Sequence, residues 1–259
     1  MLPSLGLLSK ICVLISFILS ILCLFAGSQQ NFLQDASVMT LNTSASRPTS
    51  AIKAVETGSA TDLGLRDFYS VYVLAYCEGY FVDGHRNVTS CSDRSAVFAF
   101  NPSDVFSSEL DPGFNVSDID WPDTITDDFS VMETTTKAMS VLYIIGAGAT
   151  GMTLLMEILV TSASAGARQA MMAHLFFTVL SFVCLGISSS VASVIAVKFV
   201  ELINRHGKDY GITATGGDKF LSMTWAAVCL VFVTVVISVI TLPPGGGSPA
   251  PAEKEAEGA

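Results

Sequence analysis

The stretch Val141-Leu-Tyr-Ile-Ile-Gly-Ala-Gly-Ala-Thr-Gly-Met-Thr-Leu-Leu-Met156 admits two incompatible readings. Gly146, Gly148 and Gly151 have the Gly-x-Gly-x-x-Gly spacing of a dinucleotide-binding turn, and an apolar run resembling a strand precedes them. Such a turn needs an acid about 20 residues on for a ribose hydroxyl, where this chain has Ala167-Arg-Gln-Ala170. No alternating strand and helix texture follows. The apolar character runs straight through the glycines, as it does in a helix that crosses a bilayer, where small residues let neighbouring helices approach closely. The stretch therefore reads as part of a spanning helix, and Gly146, Gly148 and Gly151 as helix-packing positions.

The same texture recurs along the chain. Apolar runs cover Leu5–Gly27, Ala138–Thr161, Met171–Val200 and Phe220–Leu242. Each reaches the ~20 residues that a bilayer-crossing helix requires, and a soluble core helix would show a polar face. Gly186, in the third run, joins the packing glycines. About half of the 259 residues are hydrophobic, which excludes an ordinary soluble domain. The first run, within residues 1–27, fits either an uncleaved span (a signal anchor) or a cleaved secretory leader with small residues near Ala26-Gly27-Ser28. Its length favours the span.

Between the first two runs lies a loop of different chemistry, residues 28–137. It carries 16 acids against 6 bases, whereas the rest of the chain carries 7 of each. The net charge of −10 thus belongs to this loop, and no basic patch for nucleic acid exists. The loop holds the Asn-x-Ser/Thr sequons at Asn42, Asn87 and Asn115 and the two cysteines outside the apolar runs, Cys77 and Cys91. Paired cysteines beside a sequon point to an oxidising compartment and a disulfide. A zinc site would need more ligands than these thiols and His85 provide. Glycosylation acceptors work only on the lumenal side, so the loop is expected outside. Bases in the loop at residues 201–219 (Arg205, His206, Lys208 and Lys219), partly offset by Glu201, Asp209 and Asp218, point weakly the other way. The sequons outweigh them.

Residues 28–61 read as a flexible polar lead-in. Phe68 to Cys77 reads as a β-branched and aromatic strand. Gly79 and Asp83-Gly84 mark turns that return Cys91 towards Cys77. Val97-Phe-Ala-Phe100 reads as a second short strand stopped by Asn101-Pro102. Asp118–Asp128, around Trp121-Pro122, leads to the membrane. The tail, residues 243–259, opens Pro-Pro-Gly-Gly-Gly and is expected to be disordered and cytoplasmic.

Candidate chemistry is sparse. Glu157 is the acid within an apolar run. An intramembrane acid is a functional candidate by default. It lies near the inner end of its run, however, within reach of the interface or Arg168, and His174 reads likewise. The chain has no His-Glu-x-x-His and no Gly-x-Ser-x-Gly, and Asp118-Ile-Asp120 and Asp127-Asp128 lack calcium-loop spacing. An enzyme is the weaker class. No cofactor and no metal is expected.

Residues Asp67, Phe68, Tyr69, Tyr76, Cys77, Glu78 and Gly79, then Cys91-Ser92, then Phe100-Asn101-Pro102, resemble the loop of the fungal Sur-seven/PalI family of claudin-like four-span proteins. Lys137–Gly146 and the stretch from Tyr210 to Trp225 agree with it. The claudin-style Trp-Gly-Leu-Trp is absent, so claudin-like strand polymerisation is not expected. The expected fold is an all-α membrane bundle of four transmembrane helices, at 1–27, 138–161, 171–200 and 220–242. A small disulfide-closed, β-containing loop domain sits outside. The resemblance implies a multi-pass plasma-membrane protein of eisosome-type cortical domains, supporting cell-wall integrity and endocytosis. Its PalI branch implies ambient-pH signalling instead. The partners implied are membrane lipids, other membrane or cortical proteins and further copies in a lateral assembly. A transporter would need polar groups converging at midplane.

Overall fold

A computed structural model describes residues 3–29, 32–44, 65–109, 123–162, 167–207 and 211–241. Asn115, the tail at 243–259, most of the polar lead-in and the Trp121-Pro122 approach lie outside them. The elements in chain order are α1 (Pro3–Phe25), β1 (Met39–Asn42), β2 (Phe68–Val71), β3 (Tyr76–Val82) and β4 (His85–Cys91). There follow α2 (Pro102–Glu109), α3 (Asp123–Ser162), α4 (Ala167–Val194), α5 (Val200–His206), β5 (Thr213–Gly216) and α6 (Asp218–Ile240). A five-residue π-helical turn, Ile195–Phe199, joins α4 to α5.

Four of these helical stretches are long and apolar enough to cross a membrane: Leu5–Phe25, Ser130–Leu159, Gln169–His206 and Asp218–Ile240. The helix α3 runs unbroken through Gly146, Gly148 and Gly151, which rules out the dinucleotide turn. At 40 residues it is about 60 Å long, roughly twice the hydrocarbon thickness. Its N-terminal part therefore stands clear of the span. In the bundle α3 packs on α4 and α1 on α6, with further contacts between α4 and α6 and between α1 and α3.

Glycine is only part of how the helices meet. Ser16 donates to the carbonyl of Ala227 at 3.0 Å, joining α1 to α6. Ser188 donates to the carbonyl of Met139 at 2.9 Å, joining α4 to α3, and Ser189 pairs with Thr224 at 2.7 Å, joining α4 to α6. In lipid such bonds contribute about 0.6 kcal/mol each. Other hydroxyls, including Thr150 and Thr153, bond back to the carbonyl four residues earlier. That lets them sit in an apolar span without an orphaned donor.

One five-stranded antiparallel sheet, in the order β4-β3-β2-β1-β5, forms the loop domain. Several local expectations are corrected here. The run Phe68–Cys77 is a hairpin, because the chain turns at Tyr72–Ala75, where Tyr72 N donates to Ala75 O at 2.9 Å. The polar lead-in contributes β1, and the loop at 201–219 contributes β5, which pairs with β1 from Met39↔Gly216 to Asn42↔Thr213. Val97–Phe100 is not a strand. Asn101 and Pro102 start α2: Asn101 Oδ1 accepts from Ser103 N at 3.1 Å, and proline suits a helix's first turn. Between β3 and β4 the turn falls on Asp83 and Gly84, with φ of 51° and 78°, the left-handed pair that a two-residue hairpin selects.

Domain and bundle share one core, in which Leu41, Tyr69, Phe100 and Phe106 pack together with Met132, Met139, Tyr143 and Phe220. Phe100 N donates to Thr136 Oγ1 at 3.0 Å and Ser140 Oγ to Phe98 O at 3.2 Å, so the segment before α2 is fastened to α3. The domain is thus seated on the helix ends. It is not tethered by linkers alone.

Candidate functional site

The residues of the family-like block assemble the sheet domain. Cys77 and Cys91 are cross-strand partners on β3 and β4 and form a disulfide. Ser92 Oγ accepts from Tyr76 N at 3.0 Å, and Tyr76 meets Phe100 edge-on at 5.7 Å. Phe68 is fully buried against Phe81, with ring centroids 5.3 Å apart. Asp67 Oδ2 accepts from Phe81 N at 2.8 Å. Gly79 lies where a Cβ would meet the carbonyl of Asn87 at 2.0 Å, at a register shift in the β3–β4 ladder. Trp225 belongs to α6, half-exposed, and its Nε1 donates to Ser193 Oγ at 3.0 Å.

Inside this frame sits a cluster of ionisable groups. Tyr69, fully buried, donates its hydroxyl to Glu109 Oε2 at the end of α2 and accepts from the backbone N–H of Arg66 at 3.0 Å. The Glu109 carboxyl adjoins that of Glu78, the cross-strand partner of Tyr69; Glu78 is 8 % exposed. Arg66 Nε lies 3.5 Å from Glu78 Oε1, Nη1 donates to the Tyr80 hydroxyl, and the guanidinium stands 5.2 Å over the Tyr80 ring. Burial raises the Glu109 carboxyl to about 8; the hydrogen bond and charge of Glu78 add to the rise, and Tyr69 and Arg66 oppose it. Burial, reinforced by Glu109, also pushes the Tyr69 hydroxyl far above its ordinary value.

At the other end of the bundle a second polar group joins every span. Ser9 of α1 donates to Glu157 Oε1 of α3 at 2.5 Å. His174 Nε2 of α4 lies 3.3 Å from the same oxygen, and Ser238 Oγ of α6 is 3.5 Å from His174 Nδ1. Glu157 and His174 are each 8 % exposed. The expectation that Glu157 opens to the interface is therefore corrected, since it is enclosed and faces a histidine; the Arg168 side chain lies outside the described residues. Four residues on four helices carry no common spacing, so sequence reasoning had no signal for the group.

The packing glycines divide. A Cβ at Gly146 would stand 2.7 Å from Leu185 Cγ, and one at Gly151 would stand 3.0 Å from the Phe17 ring, whereas at Gly148 and Gly186 it would meet nothing within 4 Å. Gly186 instead lines an apolar groove of about 620 Å³ on the outer face of the bundle, with Thr135, Phe182, Ser190 and Trp225 among its walls. Of the sequons, Asn87 is exposed on the edge strand β4, and Asn42 is half-buried at the end of β1, its Oδ1 accepting from Ser44 Oγ at 2.7 Å. Among the described residues no group of three or more His, Cys, Asp or Glu side chains is arranged to hold a metal ion.

No curated protein and no solved structure matches the chain. The model of the SUR7/PalI family matches residues 5–237, from the first span to nearly the end of the fourth. The matched region takes in the disulfide-closed sheet domain and its seat on the bundle, and the chain belongs to the SUR7/PalI family.

Proposed function

We propose that this chain is a non-enzymatic organiser of cortical plasma-membrane domains, of the eisosome type, which supports cell-wall integrity and endocytosis. Family membership is the observation that carries the reading. The lateral surface of the bundle supports it. Gly148 leaves open space on α3, and the groove beside Trp225 offers apolar walls to lipid or to a neighbouring bundle. In this reading the sheet domain faces the wall side, carrying glycans at Asn42, Asn87 and Asn115, and the C-terminus is cytoplasmic. A glycan at Asn87 stands on the sheet's outer edge strand and hinders pairing with another sheet. The partners are membrane lipids, other membrane or cortical proteins and further copies of the chain. A fluorescent tag on the C-terminus tests the reading. Immobile cortical patches are expected, and a uniformly diffuse, mobile rim overturns it. Endoglycosidase treatment that leaves the apparent mass unchanged overturns the orientation.

A second reading, a membrane subunit of ambient-pH signalling, is favoured by one observation: the Glu78–Glu109 carboxyl pair inside the loop domain. Deleting the gene separates the two. Loss of the alkaline response with cortical patches intact supports the signalling reading.

A further inference from the structure

We infer that Glu109 and Glu78 form a proton-operated latch that holds the C-terminal turn of α2 against the sheet when one proton is shared between them and releases it when that proton is lost. The inference requires neither cellular reading above.

The geometry gathers four side chains. The Arg66 backbone N–H donates to the Tyr69 oxygen, and the Tyr69 hydroxyl donates to Glu109. Glu78 is the cross-strand partner of Tyr69, which brings its carboxyl beside that of Glu109, and it faces the Arg66 guanidinium at 3.5 Å. With Glu109 protonated, its O–H can donate to the Glu78 carboxylate, and one negative charge faces one positive charge. Removing the proton puts two carboxylates side by side with one guanidinium between them and deletes the donor that joined them. That is the arrangement in which one of two carboxyls keeps its proton to unusually high pH. Glu109 also ends α2, whose last turn has no basic residue, so the helix dipole opposes a charge there too.

Among the described residues, the surrounding charges come from three elements. Tyr69 on β2, Glu78 on β3 and Arg66 before β2 act on Glu109. Tyr80 on β3 binds Arg66, and Tyr76 on β3 responds to both carboxyls. Asp104, the other acid of α2, is exposed.

The rest of α2 has an independent anchor. Val105 and Phe106 are buried, Phe106 with its ring edge-on to Tyr69 at 5.1 Å. Proton loss therefore loosens the end of the helix and leaves its start in place. The sign follows from linkage. The docked turn holds the proton up to about pH 8, and an undocked carboxyl loses it near 4.5. Docking therefore weakens as pH rises between these values and is insensitive above them.

The test is hydrogen exchange on the full chain in lipid nanodiscs, corrected for intrinsic rates, reading the amides of the last turn of α2 at about pH 6 and about pH 9. The expected result is a loss of protection of about tenfold or more in the native chain, with Glu109→Gln protected at both pH values because the amide keeps a donor towards Glu78. Glu78→Gln provides a second arm: with the neighbouring charge removed, its pH midpoint moves down. An infrared band of a protonated carboxyl should vanish over the same range and be absent from Glu109→Gln. Protection that does not change with pH in the native chain, or that changes equally in Glu109→Gln, overturns the latch. Protection restored at high pH by calcium alone makes the pair a cation site and overturns it as well.

Discussion

Gly146 of α3 lies so near Leu185 of α4 that a Cβ added at the glycine would stand 2.7 Å from the leucine Cγ and 2.9 Å from its backbone nitrogen. A side chain can swing away from such a contact; a backbone atom in a helix cannot. Gly146→Val should therefore destabilise the bundle by about 1–3 kcal/mol through overpacking. Gly148→Ala, which meets open space, should be neutral or stabilising by up to about 1 kcal/mol. Thermal unfolding of both variants in the same detergent decides the point, and equal losses would contradict the packing described.

Breaking the Cys77–Cys91 disulfide removes a cross-link between residues 14 apart in the chain. Cys77→Ser and Cys91→Ser should each cost about 3 kcal/mol in the chain-entropy description. Because the sheet shares its core with the bundle, the loss should appear as a lower unfolding temperature of the whole chain as well as faster proteolysis of the hairpin.

The Glu157–His174 pair predicts a coupled defect. His174→Ala leaves the enclosed carboxylate without its imidazole, and Glu157→Gln removes the charge that the imidazole answers. In a double-mutant cycle the two substitutions should be non-additive by about 0.5–3 kcal/mol. Additive losses would mean that the two side chains do not act on one another despite their 3.3 Å separation.

Asp35 gives a pH prediction with the opposite sign to the latch. Lys219, hydrogen-bonded at 2.5 Å, and then Arg86 hold its carboxyl below the usual carboxylate range. A depressed carboxyl adds stability above its unfolded value, and that stability is lost as pH falls through the folded one. The Asp35 side chain is 58 % exposed, so the contribution is under about 1 kcal/mol. Lys219→Ala should show a small loss near neutral pH at low salt, and none in acid or at about 1 M salt. Chemical denaturation across pH reads it.

What was legible in the chain depended on how far each signal extends. Spans announce themselves by apolar length, and α1, α3, α4 and α6 fall on the four runs read from sequence. The hairpin around Cys77 and Cys91 was legible because its turn residues, Asp83 and Gly84, are local. The strands β1 (MTLN) and β5 (TATG) were not. Four residues without alternation become a strand only when partners from remote parts of the chain supply the ladder. Asn101-Pro102 was read as a stop because the same dipeptide that ends a strand also begins a helix. The latch was hidden for a similar reason: Tyr69 and Glu109 are 40 residues apart, and α2, which carries Glu109 to the sheet, was not foreseen. Hydroxyl bridges such as Ser189–Thr224 were overlooked because serine and threonine look the same in sequence whether they face lipid, their own backbone or another helix.

The pairing of β5 with β1 imposes an order of events on synthesis. The segment Thr213–Gly216 is made after the third span and immediately before the fourth, yet β1 leaves the ribosome soon after the first span. Until β5 arrives, β1 has one flank unpaired, and the sheet is complete only when both loops stand on the same face of the bilayer. A chain with one span threaded the wrong way cannot bring these strands together. Asn204 of α5 then closes the outer side of β5, exchanging hydrogen bonds of 2.8 Å each with the N–H and carbonyl of Ala214. Correct threading is thus written into the sheet: β1 gains its second neighbour only in a chain whose two loops share a face.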